Sequence, residues 1–204
     1  MSVFLTFIKG YGISSGLIMA IGAQNAFVLK KGITKSHVFV VAILCSIIDA
    51  LMITLGASGL GAIIANNVYL LDIARYGGAA FLFCYGTKSF YSSFFLTRSI
   101  EDVISDSSNN LKATIITILA VSFLNPHLYL DTVVLLGSIG AQIVEHERAY
   151  FTIGAICASC LWFFALAYGA GYLSPLFQKP ISWKILDGFI GVVMWSIAVS
   201  LIME

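Results

Sequence analysis

Charge is what this chain most lacks. Asp, Glu, Lys and Arg make up 10% of its 204 residues, against about 25% in an ordinary soluble domain. So few charged groups cannot cover the surface of a water-soluble fold, and 59% of the residues are hydrophobic, at a mean hydropathy of +0.96. The chain reads as an integral membrane protein with no soluble domain. Its 11 basic and 10 acidic residues leave a net charge of +1. The basic ones fall in short loops and form no stripe, which excludes nucleic acid as a partner.

A charged leader is missing as well. Only Lys9 lies within the first apolar run, so that run reads as a retained first helix and not as a signal peptide. Cysteine is sparse: Cys45, Cys84, Cys157 and Cys160 all sit in apolar segments, and no pair falls in an exposed loop where a structural disulfide would form. The i, i+3 pair Cys157 and Cys160 has no His, Asp or Glu nearby to complete a metal site, and buried Cys packs well as a small apolar residue. That pair alone keeps open a reading from another class, a membrane thiol-disulfide oxidoreductase.

With only three prolines in the chain, one inside an apolar run stands out. The run is Leu124-Asn125-Pro126-His127-Leu128-Tyr129-Leu130-Asp131-Thr132. Pro126 removes a backbone N–H and clashes with the preceding turn, so the helix kinks or splits there, and Asn125 can offer its amide to the freed groups. Asp131 follows one turn beyond His127. An ionisable side chain in a bilayer costs about 2.5–3.5 kcal/mol or more, so such a residue faces a cavity or a partner. The alternative is a kinked helix whose polar groups only satisfy one another.

Six spans follow from the apolar runs. Helix 1 covers residues 5–29 and is interrupted at Gly22-Ala23-Gln24-Asn25, with Gly12 and Gly16 as a small-residue face for close helix contact. Helix 2 covers residues 37–64, with Asp49 its only charge and no basic residue at helical spacing to pair with it. Helix 3 covers residues 68–90, with Asp72 and Arg75 as a salt bridge at its interfacial end. Residues 97–112 form a hydrophilic linker, followed by helix 4 at 113–139 with the Asn-Pro break, helix 5 at 149–173 and helix 6 at 183–203. Asp187, one turn into helix 6, suits the positive end of the helix dipole. The loops after helices 1, 3 and 5 hold Lys30, Lys31, Lys35, Lys88, Arg98, Lys112, Lys179 and Lys184, eight of the eleven basic residues. The positive-inside rule makes those loops, including the linker, cytoplasmic and puts both termini outside.

The halves 1–96 and 113–204 match faintly. Gly22-Ala23-Gln24 corresponds to Asn125-Pro126-His127, Ser46 and Asp49 to Ser159 and Trp162, Gly56 to Gly169, and Gly78 to Gly188. Three spans per half is an odd number, so the second copy enters the membrane inverted, the plan of many secondary transporters, in which paired broken helices mark the substrate site. The fold class expected is therefore all-α, six transmembrane helices as two inverted three-helix repeats with helices 1 and 4 broken.

After each break a half-helix starts, near Asn25 and near Leu128, and its bare N–H groups and dipole suit an anion such as a substrate carboxylate. Asp49 and Asp131 suit cations. A ligand with one carboxylate and two positive groups, as in lysine or arginine, satisfies all of these. Alternatively Asp49, Asp131 or His127 carries a proton, and His127 can equally serve the backbone freed by Pro126. A metal cation would want more ligands than Asp49, Asp131 and His127 supply.

These residues resemble the LysE family of amino-acid exporters, most closely its lysine and arginine branch. The resemblance covers nearly the whole chain and is carried by Gly22-Ala23-Gln24-Asn25-Ala26-Phe27-Val28, Lys31-Gly32-Ile33, Asp49, Asn125 to Thr132, and Trp162-Phe163-Phe164. It implies a transporter of the bacterial inner membrane, not an enzyme, that exports L-lysine or L-arginine under the proton gradient or membrane potential. The substrate would be held by Asp49, Asp131, Asn25, Gln24 and Asn125, with membrane lipid as surroundings and no cofactor. Export of neutral amino acids or of a metal cation stands as the alternative. Ala23 departs from the family pattern, which usually has proline there. Small-residue faces, including Gly188 and Gly191, allow a homodimer.

Overall fold

The computed structural model describes residues 3–20, 22–58, 68–95 and 110–203, and among these every regular element is helical. The first expected span is two helices, α1 (Val3–Ile18) and α2 (Ala23–Ile33), meeting at 82°. The break falls between Ile18 and Ala23, so that, of Gly22 to Asn25, Gly22 lies within it and the other three begin α2. No proline is needed: the Asn25 side chain turns back and its Nδ2 donates to the carbonyls of Ile18 (2.8 Å) and Ala20 (2.7 Å), taking up acceptors that the end of α1 leaves open. Ala23 is the first residue of α2, a position that tolerates proline because its N–H has no intrahelical partner anyway. Alanine there keeps the break without it.

Helix α3 (Val38–Ala57) follows a tight turn in which Lys35 and His37 both adopt left-handed backbone angles. It is capped at Ser58; positions 59–64 of the expected helix lie outside the described residues. Helix α4 (Val68–Phe95) runs five residues past its expected end. Ser93 Oγ donates to the Lys184 carbonyl at 2.7 Å and Ser92 Oγ to Asp187 at 2.7 Å, so tertiary contacts hold this extension. The expected Asp72–Arg75 bridge is not made. Arg75 instead donates to the carbonyls of Leu201 and Ile202, closing the open end of the last helix.

Most of the expected linker lies outside the described residues, but its last two positions belong to α5 (Leu111–Phe123), whose cap Asn110 accepts from the Ala113 N–H at 2.8 Å. Beyond the break come a single turn (Pro126–Leu128), a π-helix (Tyr129–Leu135) and α6 (Leu136–Ala141). Helix α7 (Glu145–Gly169) starts four residues earlier than expected and tightens into a 3₁₀ segment (Ala170–Gln178). Helix α8 (Pro180–Met203) opens on proline, again in the position where its missing N–H does no harm.

Small residues set how these helices meet. On α1 they are Gly10 and Ser14, not Gly12 and Gly16, which are exposed with nothing near them. A Cβ on Gly10 would stand 2.1 Å from the Phe151 carbonyl oxygen, one on Gly154 2.2 Å from that of Phe7, and Ser14 Oγ donates to the Ala155 carbonyl at 3.0 Å. Backbone thus meets backbone along α1 and α7. Gly188 and Gly191, read as a face open to a second copy, are instead covered by Ser93 and Phe90 of α4 in the same chain. Gly56 lets α3 approach the π-helix, where its Cβ would lie 2.6 Å from the Thr132 carbonyl oxygen.

Among the described residues three helical stretches are long and apolar enough to cross a membrane, Val38–Ala57, Glu145–Gln178 and Pro180–Met203, and α1 with α2 makes a fourth if the bent pair is one span. Their outer faces present Leu51, Leu161 and Ile185, each more than half exposed. Apolar surface on this scale belongs against lipid.

Candidate functional site

The two breaks face each other across a cavity of about 190 Å³. The end of α1 (Leu17, Ile18) and the first turn of α2 (Gly22, Gln24, Asn25) form one wall; Asn125, His127, Asp131 and Thr132 form the opposite one; Asp49 of α3 and Phe163 of α7 close it between them. Voids larger than a water molecule are few in protein interiors, so a polar one at mid-chain breaks is a site candidate. Among the described residues, no lysine or arginine lines it.

Asp49 is buried, 2% exposed. Its Oδ2 accepts from Ser159 Oγ at 2.8 Å, whereas Oδ1 has no partner among the described residues. Burying an unpaired acceptor is costly, so an oxygen left this way on a cavity wall is prepared for a donor that comes and goes. Gln24 shows the complementary state: its Nε2, a donor, is buried without an acceptor among the described residues.

Asn25 lines the cavity too, but its amide is committed. Besides its two bonds to the end of α1, its Oδ1 accepts from Trp162 Nε1 at 3.2 Å, which fastens the break to α7. Asn125 is engaged likewise, its Oδ1 accepting from the His127 N–H at 3.2 Å as the cap of the turn opened by Pro126. Across the gap in that chain segment Tyr129 OH donates to the Phe123 carbonyl at 2.9 Å.

The His127 ring is exposed and, among the described residues, makes no hydrogen bond, so it is not repairing the backbone freed by Pro126. Asp131 is half-buried on the same wall, in the π-helix. Wider winding there is a frequent mark of functional positions. Of the residues expected at the breaks, Gly22 lies on the wall and Ala23 does not; it faces away, buried in an apolar cluster with Trp183 and Leu186.

Two features escaped sequence reasoning. Ser159 could be paired with Ser46 by the repeat offset, yet nothing local marks it as the partner of Asp49. Asp187, read from the sequence as an acid suited to a helix dipole, is buried, paired with Lys30 at the far end of α2, and accepts from Ser92 on its other oxygen. Two opposite charges without local partners in apolar surroundings were the available signal. Cys157 and Cys160 are free and lie outside the cavity lining, and among the described residues no three His, Cys, Asp or Glu side chains gather as a metal site would need.

Residues 15–204 match the family model of the LysE type translocator. Among curated proteins, the chain is 40% identical over 193 residues to the arginine exporter protein ArgO of Photorhabdus laumondii, covering 95% of this chain and 93% of that protein. It is 39% identical to those of Serratia proteamaculans and of Yersinia enterocolitica, each over 96% of this chain and 95% of the relative. No solved structure matches it.

Proposed function

This chain belongs to the LysE type translocator family, and from that premise we propose that it is a secondary transporter exporting L-arginine, and with it L-lysine, across the bacterial inner membrane. The observation that carries the reading is the wall chemistry: Asp49 and Asp131 face one cavity at two helix breaks, with no basic side chain among the described residues that line it. Two carboxylates and no fixed cation call for a ligand with two positive groups. The relatives named as arginine exporters put arginine ahead of lysine.

Energetics favour coupling to protons. Arginine leaves with a net positive charge, and moving one charge against an inside-negative potential costs about 2.3 kcal/mol per 100 mV. Inward return of one proton per arginine cancels that charge. Asp49, Asp131 and the unbonded ring of His127 are the groups on the wall able to carry it.

The six-span inverted plan is part of the same proposal, with residues 1–96 and 113–204 as its repeats joined by a cytoplasmic linker at 97–112. It is supported by breaks in the first helix of each half and by the equivalent pair Asp49 and Trp162, which both serve this site, one on its wall and the other through Asn25. The third helix of each half, α4 and α8, pack on each other, Phe83 stacking on Trp195 at 4.8 Å.

The test is export of labelled arginine and lysine, with leucine and threonine as controls, from vesicles holding wild type, Asp49→Asn or Asp131→Asn at matched amounts. Losing a hydrogen bond to a charged group is worth about 1.5–3 kcal/mol, so each variant should lower basic amino-acid affinity about 10- to 100-fold. Equal export of leucine, or normal export by both variants, would overturn the reading.

A further inference from the structure

The breaks are not equivalent, and the difference orients the substrate. The turn that starts at Pro126 is capped, since Asn125 Oδ1 takes the His127 N–H at 3.2 Å. Helix α2 is not: Gly22 has no side chain to cap it, and its first N–H groups have no intrahelical acceptor. In that bare first turn stands Gln24, whose Nε2 also lacks an acceptor. Facing the same cavity is buried Asp49, whose Oδ1 lacks a donor. Both side chains line that one cavity, Gln24 from α2 and Asp49 from α3.

A cavity that holds an orphan donor and an orphan acceptor is not the complement of a guanidinium or an ammonium, which only donate. It is the complement of a group carrying both kinds of atom. Resting on the reading of this chain as a basic amino-acid exporter, we propose that the α-amino-acid head binds at α2, with its carboxylate on Gln24 Nε2 and the bare first turn and its α-ammonium on Asp49 Oδ1. The side-chain cation then extends to Asp131 on the capped wall. The dipole of α2 adds to the carboxylate's preference for that end. The site so divided separates two tasks: Gln24 and Asp49 recognise any α-amino acid, and Asp131 selects the basic ones.

Binding to the purified full chain, by competition with labelled arginine, separates the parts. The probes are arginine, agmatine (no carboxylate), 5-guanidinopentanoate (no α-ammonium) and citrulline (a neutral side chain of the same shape). Wild type should prefer arginine to each. Gln24→Leu should weaken arginine about tenfold and leave agmatine unchanged, by the worth of one charge-assisted hydrogen bond. Gln24→Glu, of the same size, should weaken arginine and tighten agmatine. Asp49→Asn should erase the preference over 5-guanidinopentanoate, and Asp131→Asn the preference over citrulline. If the two aspartate variants exchange these effects, or Gln24→Leu weakens agmatine as much as arginine, the orientation is wrong. If wild type binds leucine as well as arginine, the underlying exporter reading fails and takes the orientation with it.

Discussion

Single residues here act through what they leave out as much as through what they bear. Gly78 has the Leu124 carbonyl oxygen 1.7 Å from where a Cβ would sit, at the point where α4 crosses the second break, whereas Gly12 has open space. Gly78→Ala should therefore destabilise the protein by about 1–3 kcal/mol or more, as forced overpacking does. Gly12→Ala should be neutral or stabilise it by about 0.5–1 kcal/mol through helix propensity. Thermal unfolding in detergent decides it, and similar shifts for the two would contradict the packing described. Nothing in the sequence distinguishes these glycines, because the distinction is made by a carbonyl from a helix remote in the chain. Asp49 and Asp131, by contrast, were legible one at a time: a carboxylate in an apolar run must have a reason, whatever surrounds it.

Elements are tied together by a few polar contacts at their ends. Lys30 joins the far end of α2 to α8 through Asp187, and Ser92 brings in α4. Lys30 is partly exposed and Asp187 is not, so the two halves of the pair are unequal. Lys30→Met leaves a buried carboxylate without its cation and should cost about 2–3 kcal/mol, less than a fully buried pair would. Adding Asp187→Leu should recover much of that, and a double variant as unstable as the sum of the singles would show that the two do not interact. The π-helix makes a second claim at this scale. Deleting exposed Val134 removes one residue from its wide turns and re-forms α winding. Membrane insertion should survive while arginine export is lost, because α winding of the remaining residues keeps the flanks nearly in phase but re-aims the side chains of the wide turn itself, Asp131 among them. Normal export by the deletion variant would show that the π winding does not place Asp131.

At the scale of the whole molecule the open question is how the chain crosses the membrane. The six-span plan predicts that, in a cysteine-free background, Lys31→Cys and Ser108→Cys are labelled by an impermeant maleimide from the cytoplasmic side and Ser2→Cys from the outside. Labelling of the first two from opposite faces would exclude it. Composition and residue order alone set the solvent of this protein, its helical class, the existence of two breaks and the two acids near them. These follow from local facts: apolar runs without charge, a proline with no N–H, glycine and asparagine inside a span. Only the tertiary structure decided where the first break falls, since Asn25 fixes it with help from Trp162, 137 residues away. The same holds for the Lys30–Asp187 pair and for the one break whose helix start is left bare. Each of these depends on which polar atoms from separate helices arrive at the same place, and hydropathy along a chain carries no record of that.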